Sequence, residues 1–476
     1  MDLDAVQQLK AKVGETLNNR ATLLFTFGIL ILSLPQLILT PPFQVPDAFA
    51  HFIKAEALAE GHLFPTMIAH AAGSTMPASI AALVDLFARL PFHPAIHYSG
   101  HLLRTAASLT WNARPLFTTY TPASFDPPFL YIPTVIGLLI GSLIHLTLLR
   151  TYYLAELIML LSATLLLSIA FSLTPRHGRP LVAVVAFLPM ATSLYSSVSR
   201  DALILPLILL AVATRIRWAD VIIDRHFRKS AYWFPVIALL PVAMTKPPYW
   251  LLIPLLYLPF ERLLPKPRQL LRPILLPAAT SLAIVGLWYA AVANQLSVTF
   301  VSGAGISVAG QIRWLMTHPL GDISVIYHTF RANGTFYYES TVGILGWLDT
   351  PLPHWIYPVF ALCILLAMGP LLASLTRRSE TWSPFIVAVL TGVLLFLGVE
   401  VALYATWTPV GAPIVLGVQG RYLLPILPLV GLLGRNPEGH GGIPVLINRL
   451  AVFAVSCEVV LSLVVIPATL ISRFWV

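Results

Sequence analysis
The sequence predicts an all-α integral membrane protein folded as one unit over residues 1–476, and three observations carry that prediction. Of the 476 residues, 57% are hydrophobic and only 10% charged, where soluble domains hold about a quarter charged residues. Apolar runs of about 20 residues, enough helix to cross a hydrocarbon core, recur from Ala21 to the C-terminus. Lys and Arg stand in short clusters between those runs, a pattern that reports membrane orientation; with no basic stripe or arm, the formal charge of +9 does not point to nucleic acid.

The N-terminal run Ala21 to Thr40 is longer than a signal-peptide core and follows a polar segment with Lys10, Lys12 and Arg20. An uncleaved anchor is expected, although Ala48-Phe49-Ala50 imitates a cleavage site. With the N-terminus inside, the basic groups Arg215 to Lys229 and Arg262 to Arg272 fall on the inner side only if residues 129–149 do not fully cross. That segment is therefore expected to be re-entrant or interfacial. About eleven transmembrane helices follow, approximately 22–40, 152–174, 180–198, 200–216, 231–246, 247–262, 272–293, 353–376, 382–406, 421–435 and 446–470. The C-terminus comes out on the outer side. The segments flanking Lys246-Pro247-Pro248 are short, and with the apex at Arg200-Asp201 they are expected to line a polar cavity, since freed backbone groups and charges need partners.

The outer side then holds a long first loop, residues 41–129, a second, residues 294–352, and a short one before Arg421. Ala48 to Glu60 reads as a helix closed by Gly61, with Asp47 at its start and His51 on the same face. Phe125 to Tyr131 returns the chain to the membrane through a stiff proline pair. The aromatics from Phe330 to Trp355 suit a headgroup belt or sugar stacking. Asn333-Gly334-Thr335 is a weak glycosylation match. Cys363 and Cys457 lie in apolar stretches, which argues against a disulfide framework.

No soluble-enzyme signature is present. The candidates are ionisable residues at the outer ends of spans, where a charge is costly unless hydrated or paired. Asp47 is either a helix N-cap or a carboxylate that takes a hydroxyl proton or binds a divalent cation. His51 is a packed polar residue or a support to it. Asp201 is most simply a cap or a pair with Arg200; beside Asp47 it would complete an acid–base or metal site. Lys246 either snorkels or binds an anion. Arg421 suits bidentate phosphate binding, because a lone Arg at a helix start opposes the macrodipole unless an anion is bound. Whether a metal is bound stays open.

Four pieces resemble the bacterial polytopic family of domain-of-unknown-function number 2142, itself similar to GT-C glycosyltransferases: Pro46-Asp47 with His51-Phe52, Lys246-Pro247 with Tyr249, Gly343 to Asp349, and Gln419-Gly420-Arg421-Tyr422-Leu423-Leu424-Pro425. The resemblance implies a GT-C-like bundle using a polyprenyl-phosphate-linked sugar and an envelope glycan or lipid acceptor. It implies catalytic roles for Asp47 and Asp201 and a lipid phosphate near Lys246 and Arg421, with His51, Gln419 and Tyr422 in support. Two positions depart from the family: Ala48 stands where Glu is common, and Glu156 where Arg is more usual. The expected function is transfer of that sugar on the outer face of the bacterial inner membrane. A flippase for lipid-linked glycan and a non-catalytic assembly subunit are the rivals; Glu400 and Glu458, placed near the outer ends of their spans, give the flippase no complete path.

Overall fold
The computed structural model describes residues 20–68, 71–111, 114–218, 230–258, 267–293, 305–318, 321–375, 383–433 and 445–475. The basic residues 225–229 and 262–266, and Lys10 and Lys12, lie outside the described residues. In chain order the helices are α1 (Arg20–Leu39), α2 (Ala48–Ala59), α3 (Ala78–Phe87), α4 (Gly100–Ser108), α5 (Ile132–Leu143), α6 (Leu148–Leu173), α7 (Arg179–Phe187), α8 (Pro189–Tyr195) and α9 (Ile204–Arg217). They continue as α10 (Ser230–Thr245), α11 (Leu252–Leu256), α12 (Pro267–Ala291), α13 (Val308–Thr317), α14 (Gly321–Val342), α15 (Ile356–Leu375), α16 (Ser383–Thr406), α17 (Ile426–Leu433) and α18 (Val445–Phe474).

Among the described residues, six helices are long and apolar enough to cross a membrane: α1, α6, α12, α15, α16 and α18. A seventh span results if α8 and the segment Arg200–Arg217, bent by 113° to each other, count as one. The other expected spans appear as shorter pieces. The run 180–198 breaks into α7 and α8, the region after Lys246 opens as a 3-10 turn (Pro247–Leu251), and the segment from Arg421 becomes helical only at Ile426. Proline accounts for the first two breaks, since it removes a backbone donor and pushes the preceding residue out of the helical region.

Residues 129–149 run from the 3-10 turn Pro128–Tyr131 through the 12-residue α5 into the start of α6, and α5 folds back on α6. Twelve residues rise about 18 Å, short of a crossing. Small residues let the two backbones meet: a Cβ on Gly137 would lie 2.5 Å from Ala155 Cα, and one on Gly141 2.5 Å from a Thr151 methyl. Polar side chains knit α1 to its neighbours, as Thr26 Oγ1 meets Ser168 Oγ at 2.6 Å and Gln36 Nε2 donates to Thr192 Oγ1 at 2.6 Å. Such bonds hold helices together where the surroundings offer no water.

The first loop contains more than α2. A three-stranded antiparallel sheet, β1 (Thr66–Ile68), β2 (Ala71–Pro77) and β3 (Pro115–Thr119), in the order β1-β2-β3, packs beside it with α3 and α4. The second loop is largely α13 and α14; Asn333-Gly334-Thr335 therefore lies inside a helix. The Gly343 to Asp349 piece is a turn between the two-residue strands β4 (Ile344–Leu345) and β5 (Thr350–Pro351). It works as a latch. Arg473, at the end of α18, donates to Asp349 Oδ2 at 2.9 Å and to Leu90 O at 2.7 Å, while Phe92 N donates to the same carboxylate and Trp347 Nε1 to Phe43 O at 2.7 Å. Both loops and the last helix are thereby tied together.

Candidate functional site
Four breaks in regular structure bring the charged candidates to one place. The chain leaves α1 through Pro41-Pro42 and reaches Asp47 in the left-handed region (φ 64°). Asp tolerates that conformation better than most residues, yet it still costs about 1–3 kcal/mol. Asp47 precedes α2 but caps nothing with its side chain; the N-cap alternative is thus not what the carboxylate does. Ser199 Oγ caps the short turn Arg200–Leu203 by accepting from Asp201 N at 3.2 Å, which sets Asp201 in the first turn leading into α9, where the helix dipole favours a carboxylate. Lys246, extended at φ −132° because Pro247 follows, ends α10. Gly420 lies against α14, its N–H donating to Ser340 Oγ at 2.9 Å, and so delivers Arg421.

Arg421 is the centre. Its Nη2 donates to Asp47 Oδ2 at 2.7 Å, and its Nη1 donates to Pro46 O at 3.2 Å and lies 3.4 Å from Asp201 Oδ2. Lys246 Nζ sits 2.8 and 2.9 Å from the two Asp201 oxygens and 4.2 Å above the Tyr422 ring. Tyr249 Oη donates to Tyr422 O at 2.7 Å. Sequence reasoning thus named Asp47, Asp201, Lys246, Arg421 and Tyr422, and the structure brings all five together with His51 beside them. Gln419 stays outside the bonded cluster: its backbone oxygen accepts from Tyr422 N at 3.0 Å, and its buried Oε1 has no partner.

Two participants were missed, Asp126 and Tyr131, and Arg200, named from the sequence as the neighbour of Asp201, has a second partner. Arg200 pairs closely with Asp126 and stands 3.9 Å from Asp201, so the simple Arg200–Asp201 pair expected from their adjacency is the weaker of the two. Tyr131 Oη donates to Asp126 Oδ2 at 2.6 Å and contacts His51 Nδ1 at 2.8 Å. The Phe125 to Tyr131 segment signalled a membrane return, and the carboxylate inside it was the available clue.

The cluster holds three carboxylates, Asp47, Asp126 and Asp201, and three cations, Arg200, Lys246 and Arg421. Buried ions of this kind persist only when paired and hydrogen-bonded. The side chain of Arg421 is 2% exposed whereas that of Asp47 is 38% exposed, which makes Asp47 the open member and Arg421 an organiser. Burial pushes the Asp47 carboxyl up, but the charge and hydrogen bond of the neighbouring Arg421 lead the opposing effects that hold it below the ordinary value. Burial and the Arg200 charge pull His51 down to about 3. Arg421 engages Asp47 Oδ2 and, with Lys246, Asp201, and among the described residues no group of three His, Cys, Asp or Glu could hold a metal ion.

Against the cluster lies a cavity of about 410 Å³. Lys246, Arg200 and Tyr422 line one part of it, and Val399, Ala402 and Leu403 of α16 another. Arg421 and Asp47 do not line it.

No curated protein and no solved structure matches the chain. The profile of one family, described as predicted membrane protein, DUF2142, matches residues 27–430. That stretch takes in four of the six long apolar helices whole, α1 from residue 27 onward, and every charged residue of the cluster, and the chain belongs to the DUF2142 family of membrane proteins.

Proposed function
We propose that the protein is a GT-C-type glycosyltransferase of the bacterial inner membrane, moving a sugar from a polyprenyl phosphate to an envelope acceptor hydroxyl on the outer face. The orientation rests on the distribution of Lys and Arg, with the N-terminus cytoplasmic and the C-terminus periplasmic. The observation that carries the reading is the cavity. It combines cations with an apolar wall supplied by a membrane-spanning helix, the two surfaces that a lipid phosphate requires. Lys246 and Arg200 face it and are the residues for the phosphate. Arg421, occupied by two carboxylates, sets the position of Asp47 and Asp201 instead of reaching the ligand itself.

Asp47 orients the acceptor hydroxyl for attack on the anomeric carbon, and the prenyl phosphate leaves toward Lys246 and Arg200. A single displacement inverts configuration. The lipid phosphate takes the place of a nucleotide, in keeping with the lack of a nucleotide-binding loop in the sequence. The test uses purified protein in nanodiscs with a synthetic prenyl-phosphate sugar. Asp47→Asn is expected to lose transfer, and a wild-type rate for that variant sinks the assignment. A deletion strain is expected to accumulate the prenyl-phosphate sugar, which identifies the donor.

Glu458 favours a second reading, a flippase for lipid-linked glycan. It lies near the middle of α18, not near an end as its sequence position suggested, and both of its carboxylate oxygens are buried without a hydrogen-bond partner. Intramembrane carboxyl groups commonly mark transport paths. Translocation of a labelled prenyl-phosphate sugar across proteoliposomes, without transfer, would select this reading.

A further inference from the structure
The hydrogen-bond chain ending at His51 fixes which of its nitrogens carries the proton. Tyr131 has one hydroxyl proton, and its oxygen lies 2.6 Å from Asp126 Oδ2 and 2.8 Å from His51 Nδ1. Asp126 is paired with Arg200, so it is ionised and only accepts. The Tyr131 proton therefore goes to Asp126, and the phenol oxygen has lone pairs alone to offer His51. Nδ1 must donate. In a neutral imidazole the proton on Nδ1 leaves a lone pair on Nε2.

No side chain or backbone donor among the described residues is bonded to that Nε2. The ring is 2% exposed, and the charged and titratable groups around it are Asp47, Asp201, Arg200, Arg421 and Tyr131, with Asp126 behind Tyr131. A lone pair that no protein group donates to is free to accept from water or from a ligand hydroxyl. Asp47, whose charge acts on the His51 ring, is the open member of the cluster.

We infer that His51 Nε2 receives the proton of the acceptor hydroxyl, while Asp47 orients that hydroxyl; this rests on the glycosyl-transfer reading above. The acceptor O–H bond breaks and its proton passes to Nε2. The oxygen's electron pair forms the new bond to the anomeric carbon. The bond from that carbon to the phosphate oxygen breaks, and its electrons leave on the prenyl phosphate. The imidazolium faces Asp47 and Asp201, then returns its proton to water.

Two measurements separate this step from the reading beneath it. With ¹⁵N-histidine-labelled protein in nanodiscs, the resonances missing in His51→Gln belong to His51. They are expected to report a neutral ring with the proton on Nδ1 throughout a titration from about pH 8 to about pH 5, where ordinary histidines charge, and Tyr131→Phe is expected to release that fixed tautomer. A neutral ring with its proton on Nε2 overturns the inference. In transfer from a synthetic prenyl-phosphate sugar, His51→Gln is expected to lower kcat by about 10²–10⁴-fold with the KM for the donor unchanged, and added imidazole to rescue His51→Ala. A wild-type kcat for His51→Gln overturns the proton step. Absence of transfer by the wild-type protein overturns the functional reading and the proton step together, whereas the tautomer assignment is decided by the NMR experiment.

Discussion

Gly420→Ala tests whether the cluster depends on one close backbone approach. A Cβ at Gly420 would lie 2.0 Å from Thr341 N and 2.3 Å from Ser340 C, and ordinary contact begins at 3.4 Å. The obstacles are backbone atoms of α14 and cannot rotate away, so the two segments must separate by about 1.4 Å, the difference between those distances. Arg421 is the next residue. A shift of that size carries Nη1 from 3.4 Å to beyond hydrogen-bond reach of Asp201 and pulls Nη2 from Asp47. Overpacking costs about 1–3 kcal/mol and uncoupling a buried ion pair about 3–5 kcal/mol, so the loss is expected at about 4 kcal/mol or more. Thermal unfolding of the purified protein in detergent reads it. Gly286→Ala in α12, with nothing within 4 Å of the added Cβ, is the matched control, because alanine inside a helix is favoured over glycine by about 0.5–1 kcal/mol. A Gly420→Ala melting temperature equal to that of wild type would refute the claim that this contact places Arg421.

Asp201→Ala leaves Lys246 and Arg421 short of a carboxylate and is expected to lower stability by about 3–5 kcal/mol; the double variant Asp201→Ala with Lys246→Met should recover part of it, and melting curves decide. Asp349→Ala frees Arg473 and the Phe92 N–H, and limited proteolysis should then cut the first loop between residues 88 and 100 faster, with α1 and α6 still protected. His51 gives a pH signature. Its folded pKa, about 3, lies below the unfolded value of about 6.5, so between the two the unfolded chain binds more protons and stability rises with pH. Wild type should lose stability as pH falls from about 6.5 toward about 3, and His51→Gln should flatten that slope; parallel slopes would sink the assignment.

The membrane class and most of the cluster were legible in the sequence for one reason. Charges at the ends of apolar runs are costly, so each has a purpose, and placing the basic clusters on one side leaves Asp47, Asp201, Lys246 and Arg421 together on the other. What stayed hidden depended on distance along the chain. Asp126 and Arg200 find each other across 74 residues, and Asp349 meets Arg473 across 124, separations on which local pattern is silent. The Gly343 to Asp349 piece stood out as a motif, but its use as a latch needed its partner. The sheet was illegible because Ala71 to Pro77 holds few β-formers and pairs through Gly73, where an added Cβ would lie 2.4 Å from Thr118 O. The span count was the least legible, because short apolar runs broken by proline do not distinguish half-helices from crossings.

The Asp47–Arg421 contact joins residues 374 positions apart, and that separation has a consequence for biosynthesis. At about 5–20 residues per second, about 20–75 s pass between the synthesis of the carboxylate and that of the guanidinium that will hold it. Throughout that interval the early helices are already made, and Asp47 has only water or lipid headgroups as partners. The site is therefore a product of chain completion: a ribosome that stops before residue 421 has made the residues of the Asp126–Arg200 and Asp201–Lys246 pairs but leaves Asp47 without its guanidinium, and a full-length chain closes the cluster among its last acts of assembly.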